Sequence, residues 1–216
     1  MKKIISLLVG SLFLTTSALA VSGMVGIKVG NGSLEATKKA ITNTPAALTE
    51  AAETDSVDHM FGAIFAEMGN VADSPVSLGL EYTPLTGTVS ISGKNHTDAS
   101  VELSNLKTIY ALASKDVANG GSVYAKVGYS HADIENAKQS NGTTTINSFS
   151  DSLEGPMVGI GFQAPETNGI VFRAEATIAQ FDDVQVVTTD ADSTQETKKA
   201  GDIEFTTFTI SLAKQF

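Results

Sequence analysis

Seven ionisable residues sit mid-segment, each on the opposite face from its segment's apolar residues: Lys28, Glu67, Glu81, Lys107, Lys126, Arg173 and Glu175. Successive side chains of a strand point to opposite faces, so a charge an odd number of residues from the apolar set lies across from it. Val25, Ile27 and Val29 oppose Lys28; Met60, Ile64 and Met68 oppose Glu67; Val76, Leu78, Leu80 and Tyr82 oppose Glu81. Leu106, Tyr110 and Leu112 oppose Lys107; Val123, Val127 and Tyr129 oppose Lys126; Phe172, Ala174 and Ile178 oppose Arg173 and Glu175. The set is nearly balanced in sign. Buried charges must be paired or hydrated, so the chemistry expected here is a salt-bridged network, with strand register deciding which pairs meet.

Other groupings are weaker. Ser130, His131 and Asp133 have the residue types of a nucleophile, a base and its orienting acid. Neighbours in a strand face opposite ways, so Ser130 and His131 do not form a pair, and no triad geometry is visible. His59 and His96 lie near loops with no identifiable partner. Asp190-Ala191-Asp192 lacks the ligand spacing of a calcium loop. The absence of cysteine excludes disulfides and thiolate chemistry. No catalytic residue, cofactor or metal site is expected.

The elements that would position the charges are strands. Alternation predicts eight: Met24–Gly32, His59–Gly69, Val76–Pro84, Ser100–Ala113, Ser122–Ala132, Pro156–Ala164, Ile170–Phe181 and Asp202–Phe216. Their connections are long and short in strict turn. The short ones carry turn signals, Ala118-Asn119-Gly120-Gly121 and Pro165-Glu166-Thr167-Asn168-Gly169. The long ones are polar and mostly acidic: the stretch to Asp58, Leu85–Ala99, Asp133–Ser152 and Asp182–Gly201. Ala46–Glu53, after Pro45, has the composition of a short helix. Short turns at one end and long loops at the other are the layout of a transmembrane barrel. In such a barrel a mid-membrane Lys or Arg facing lipid costs about 2–4 kcal/mol. The charges therefore belong inside, with Gly26, Gly30, Gly79, Gly128, Gly159 and Gly161. Phe162, Phe172 and Phe216 would then face outward near one rim, and Tyr82 and Tyr129 near the other.

Both ends of the chain agree. Lys2 and Lys3, the apolar run Ile4 to Phe13 and Ala18-Leu19-Ala20 have the three parts of a secretory signal peptide, with residues 1–20 removed and 21–216 forming one domain. The final segment places Phe208, Ile210, Leu212 and Phe216 on one face, with Lys214 as the polar exception. The formal charge is −10, or −12 without Lys2 and Lys3. For so acidic a chain nucleic acid is not expected as a partner.

These residues resemble the small eight-stranded outer-membrane barrels, the group of OmpX and the membrane domain of OmpA. The terminal Ser211-Leu212-Ala213-Lys214-Gln215-Phe216 resembles the signal such proteins present to the barrel assembly machinery. The resemblance covers the mature chain. It implies an all-β, antiparallel, up-and-down transmembrane barrel in the bacterial outer membrane, monomeric and in contact with outer-membrane lipid and lipopolysaccharide. Both termini would be periplasmic and the loops extracellular. It also implies a structural or surface-interaction role, with a lumen filled by side chains. Some members of the family modify lipid A with a His and a Ser near the external rim; His131 and Ser130 are the nearest residues here, on opposite faces. The runner-up reading is a narrow channel for ions or very small solutes. A lipocalin-like soluble barrel is the third, since periodicity shows two faces and not which is inside.

Overall fold

The computed structural model describes residues 22–38, 42–43, 48–49, 53–69, 75–92, 98–118, 120–135, 144–149, 152–182, 184–190, 195–200 and 203–216. The expected signal peptide lies outside them. The strands are β1 (Gly23–Lys38), β2 (Thr42–Asn43), β3 (Leu48–Thr49), β4 (Glu53–Met68), β5 (Val76–Ser92), β6 (Asp98–Asp116) and β7 (Ser122–Glu135). They continue with β8 (Thr144–Phe149), β9 (Ser152–Gln163), β10 (Ile170–Phe181), β11 (Val184–Asp190), β12 (Gln195–Ala200) and β13 (Ile203–Gln215). Eight of them close a barrel in the order β1-β13-β10-β9-β7-β6-β5-β4, with β4 pairing back to β1. All pairings are antiparallel, each between successive barrel strands of the chain except β1 with β13, which closes the ring, so this is an up-and-down barrel. Closure removes the free edges that an open sheet would leave.

The turn end of the barrel is tight. Asn168 and Gly169 both have positive φ (56° and 74°), and Thr167 and Ile170 exchange backbone hydrogen bonds of 3.0 Å. That is a two-residue primed turn, whose twist matches the flanking strands. Gly120 (φ 79°) serves the β6–β7 turn, where the Val117 amide donates to the Gly121 carbonyl at 2.8 Å.

At the other end the strands run further than the alternation alone predicts. β5 and β6 continue into what was expected to be the loop Leu85–Ala99, and β1 and β4 extend into the stretch before Asp58. The helix expected over Ala46–Glu53 is not found at its described residues, which are strand: Leu48–Thr49 pairs with Thr42–Asn43, and Glu53 opens β4. Two other long connections carry a small sheet of their own, in the order β12-β11-β8.

The reason for the extension is a change in which face is apolar. Along β1, Lys28, Gly32 and Leu34 keep to one face, the buried one, while Ile27, Val29, Asn31 and Glu35 face out. Parity never changes, yet the apolar residues pass from the outer face to the inner one near residue 30. β10 does the same: Phe172 and Ile178 face out before Gln180 and Asp182, and Arg173 and Glu175 face in before Ala179 and Phe181. In β13, Leu212, Ile210 and Phe208 face out and give way to Thr206, while Thr209 and Thr207 on the inside give way to Phe205 and Ile203. An outward apolar belt with a polar interior is the wall of a barrel solvated by lipid. An outward polar surface over an apolar interior is what water imposes. One continuous sheet therefore spans both solvents, and the switch marks the membrane boundary.

The lumen is filled in layers. At the turn end lie Met24, Phe65, Val171 and Ala213. Charges follow, then hydroxyls joined across strands: Thr108 to Ser130 at 2.9 Å and Thr177 to Thr207 at 2.7 Å. At the loop end Leu34, Phe61, Leu103, Leu153, Phe181 and Phe205 form an apolar core. The Phe61 and Phe205 rings meet there, with centroids 5.7 Å apart.

The boundary makes a depth-dependent prediction. Ile160→Lys, within the belt, is expected to lower stability by about 2–4 kcal/mol, whereas Thr206→Lys, past the switch, costs about 0–1 kcal/mol. Urea unfolding of the barrel in vesicles measures both; equal costs would remove the assigned boundary.

Candidate functional site

Six of the seven charges singled out above converge in the lumen. Lys28 Nζ donates to Glu81 Oε2 at 2.7 Å and to Glu175 Oε1 at 2.6 Å. Lys126 Nζ donates to the same two oxygens at 2.9 and 3.1 Å. The result is a closed square of two lysines and two glutamates. Beside it Arg173 grips Glu67 with two parallel bonds, Nη1 to Oε1 at 2.6 Å and Nη2 to Oε2 at 2.8 Å. Its Nε donates to Gln163 at 2.8 Å. The fork-on-fork geometry is the one that suits a desolvated Arg–carboxylate pair. Three cations meet three anions, so the layer is neutral, and its members are nearly all buried.

Two tyrosines complete it. Tyr110 donates to Glu67 Oε1 at 2.8 Å, and Tyr124 donates to Glu175 Oε2 at 3.1 Å. Their rings also face the cations: Lys126 Nζ stands 3.9 Å from the Tyr110 centroid, and Arg173 stands 5.3 Å from that of Tyr124. Glycines make the room. The Tyr110 ring lies where a Cβ on Gly79 would sit, the Tyr124 ring does so at Gly161, and Phe65 covers Gly26. The space left among these side chains is about 10 Å³, which is at most one water.

The sequence reasoning missed both tyrosines as partners of the charges. The expected outward facing of Tyr110 is overturned: it is buried in the lumen. The room for both tyrosines comes from register, which side-chain patterns leave undetermined: Gly79 and Gly128 both stand opposite Tyr110, and Gly161 stands opposite Tyr124.

Lys107 does not join the network. In β6 it is Leu106, Thr108, Tyr110 and Leu112 that face in, and Lys107 and Ile109 that face out. The cause is twofold. Alternation from Leu106 to Leu112 is unbroken, but the outer face is carried by Ile109, Ala111 and Ala113 and the larger Leu106, Tyr110 and Leu112 face in; the bulge at Asn105 (φ 54°) lies on the loop side of Lys107. Lys107 also sits past the lipid belt, where an outward charge is hydrated. It pairs loosely with Asp133, at 3.6 Å. Ser130 and His131 lie on opposite faces. Ser130 is buried against Thr108, while His131 stands outside between Glu154 (2.9 Å) and Asp133 (3.3 Å). No group of three metal-binding side chains is found among the described residues.

On the final strand Phe208, Ile210, Leu212 and Phe216 all face outward, and Lys214 reaches back to the Asn168 carbonyl at 2.8 Å. Phe162 and Phe172 join Phe216 as outward aromatics toward the turn end, and Tyr129 faces outward toward the loop end.

A closed eight-stranded barrel with this belt has the architecture of an outer-membrane protein. The family model described as "Outer membrane protein beta-barrel domain" matches residues 6–216. The chain belongs to that family. Its place is therefore the bacterial outer membrane. Among solved structures it is similar to OprG from Pseudomonas aeruginosa, with TM-score 0.62, 9% identity, and 90% of this chain and 96% of that one covered. The solid-state NMR structure of AlkL in DMPC bilayers gives TM-score 0.55 at 11% identity, with 90% of each chain covered. Neisserial surface protein A gives TM-score 0.50 at 12% identity, covering 88% of this chain and 97% of the other. At such identities the likeness is one of fold. No curated protein sequence is detectably similar to the chain.

Breaking one arm of the charge layer tests its cohesion. Glu67→Ala leaves Arg173 buried and unpaired, and is expected to cost about 3–5 kcal/mol. Glu67→Leu combined with Arg173→Met is expected to regain most of that loss, because replacing a buried pair with apolar side chains is often near neutral. Urea titration of the three proteins in vesicles gives the comparison; a double variant as unstable as the single one would mean the pair does more than neutralise itself.

Proposed function

We propose that the protein is a structural or surface-interaction barrel of the outer membrane whose lumen is closed and whose long-loop end presents an acidic surface. The observation that carries this reading is the layered lumen: a neutral charge layer with room for at most one water, followed by an apolar core. A solute would have to break the ion pairs and then cross a dry constriction. Around the outside of the loop end stand Glu35, Asp58, Asp133, Glu154, Asp182 and Glu204, with Lys107 among them. An acidic collar of this kind favours basic patches on a partner or cation-bridged lipopolysaccharide.

In this reading the three turns and both termini are periplasmic and the long connections extracellular. Residues 1–20 act as a cleaved export signal. The assembly machinery receives the last strand through Phe208, Ile210, Leu212 and Phe216, and the mature barrel is a monomer in contact with outer-membrane lipid and lipopolysaccharide. The placement of His131 and Ser130 on opposite faces, with Ser130 buried, supports a role without catalysis.

Two measurements test the proposal. In planar bilayers the refolded protein is expected to show no steady conductance step. Steady steps that vanish when the lumen is blocked would replace the closed barrel with the narrow channel. Orientation is tested by labelling, since the chain has no cysteine. In intact cells a membrane-impermeant maleimide is expected to modify Asp182→Cys and spare Glu166→Cys; the reverse pattern would invert the assignment.

A further inference from the structure

The ring of strands is closed through the lipid, but one of its seams stops at the membrane boundary. β4 pairs with β1 along its whole length, from Met68 opposite Gly23 to Glu53 opposite Lys38. Its ladder to β5 covers only Met68 to Ile64, which pairs with Tyr82. Past that point β5 pairs with β6 alone, and among the described residues nothing pairs with the far side of β4 from Ala63 to Glu53. Gly62 and Met60 pair with Val29 and Asn31 on the β1 side, the level at which the wall passes from lipid to water. Met60 is 89% exposed, and a Cβ on Gly62 would meet only the Lys28 carbonyl, at 3.7 Å, so no side chain of β5 leans over this edge.

Parity identifies the unmet groups, because successive residues of a strand aim their N–H and C=O at opposite neighbours. Gly69 donates to the Ser22 carbonyl, so odd-numbered residues on this side bond to β1 and even-numbered residues of β4 face the seam. Thr54, Ser56, Asp58 and Met60 therefore present main-chain donors and acceptors there. The opposite bank is blunted. Ser114 donates to the Pro75 carbonyl at 3.1 Å, so odd-numbered residues of β5 bond to β6. Pro84 then falls on the seam side, where it has no N–H to give, and a register shift between Leu85 and Gly87 follows. Prolines and bulges are the usual protection of a sheet edge. β4 carries neither a proline nor a register shift over the same span, so it is the bank able to accept a strand.

We propose that the seam edge of β4 is a docking site for an extended segment of a partner polypeptide, added antiparallel as a further strand. Main-chain bonds supply the affinity, and the two faces of the wall choose the sequence. On the outer face Asp58 stands at the edge and Glu35 beside Ser56 on β1, both exposed, so the residue placed opposite Asp58 is lysine or arginine. On the inner face Phe61 belongs to the apolar core, so the alternate residues are apolar. The ligand is thus a strand with one basic and one apolar face. A second copy does not supply it. Copies in one membrane point their loops the same way, so their β4 edges run parallel, and both carry Asp58. The proposal deepens the surface-interaction reading and rests on it for where the partner is met. Binding by the refolded protein does not depend on orientation, so the two fail separately.

The test is amide hydrogen exchange and peptide binding on the refolded barrel in lipid nanodiscs. In the free protein the amides of Ser56, Asp58 and Met60 are expected to exchange fast and those of Val57 and Phe61, which face β1, slowly. The probe is the capped peptide Thr-Val-Thr-Val-Lys-Val-Thr, which is expected to slow the first set and leave the second unchanged. N-methylation at its lysine and middle threonine removes donors aimed at β4 and is expected to weaken binding about tenfold or more. N-methylation at two valines, whose N–H groups point away from β4, is expected to leave binding unchanged. Asp58→Lys is expected to weaken the peptide about two- to fivefold and to favour its glutamate counterpart; an unboiled gel shift reports that this variant folds. Slow exchange at Ser56, Asp58 and Met60 in the free barrel would mean that the chain covers its own edge, and overturns the proposal. So does absence of binding, binding that leaves those amides unprotected, equal binding of the two methylated peptides, or a lysine preference that survives Asp58→Lys.

Discussion

The structure depends on one constraint: each residue of the wall must suit the solvent on its own side, and that solvent changes along the strand. Within lipid the backbone has no water to bond, so the sheet must close on itself. Its outer face must then be apolar, and its inner face takes the charges. Past the membrane the outer face meets water and the inner face takes over the apolar core. A strand can cross this boundary only if its alternation survives while its hydrophobicity changes sides, as in β1, β10 and β13. The same backbone ladder runs through both regions, so the part beyond the lipid is braced by the part within it.

The charge layer follows from that constraint. Charges kept off the lipid face must go inward, and in a lumen this narrow inward means desolvated. Desolvated charges persist only if paired and hydrogen-bonded. The square of Lys28, Glu81, Lys126 and Glu175 shares two carboxylate oxygens between two ammonium groups, while Arg173 and Glu67 meet through two parallel bonds. Leftover acceptor capacity on Glu67 and Glu175 goes to Tyr110 and Tyr124. Those rings fit only because Gly79 and Gly161 carry no Cβ. Glycine content, aromatic placement and ion pairing are thus one packing solution.

Much of this was legible in the residues, and the failures are physical. All eight barrel strands follow from period-two alternation, and β10 matches the expected Ile170–Phe181 at both ends because Asn168-Gly169 and Asp182 bound it sharply. The strand extensions were hidden because their alternation runs in the opposite sense: Leu34 faces in beside Glu35 facing out, which looks like a polar loop when apolar is assumed to mean outward. The same assumption puts Lys107 inside, whereas it faces outward. A charge in a strand reads as lying within the membrane, whereas β6 runs past it, and its outer face is carried by Ile109, Ala111 and Ala113 and not by the larger apolar residues. Pairing within the lumen required register, which side-chain patterns leave undetermined. The helix expected near Ala46 rested on propensity, a weak prior that pairing readily overrides.

A filled lumen moves the question of specificity to the outside of the barrel. Inside, every charge is matched and no space remains, so recognition there would require dismantling the layer that holds the strands together. The outer surface carries no such burden. Its belt is constrained only to be apolar, and its collar only to be hydrated, so shape and charge there can vary without cost to closure. The places where the wall departs from a plain apolar cylinder are therefore the informative ones. Lys107 lies outward at the boundary, His131 lies between two carboxylates, and small Ala66 and Ala111 stand among large neighbours. All of these departures fall on the β4–β9 side of the barrel. Nothing in the closure of the sheet requires them to gather there, so their placement answers to the surroundings of the outer wall and not to the lumen.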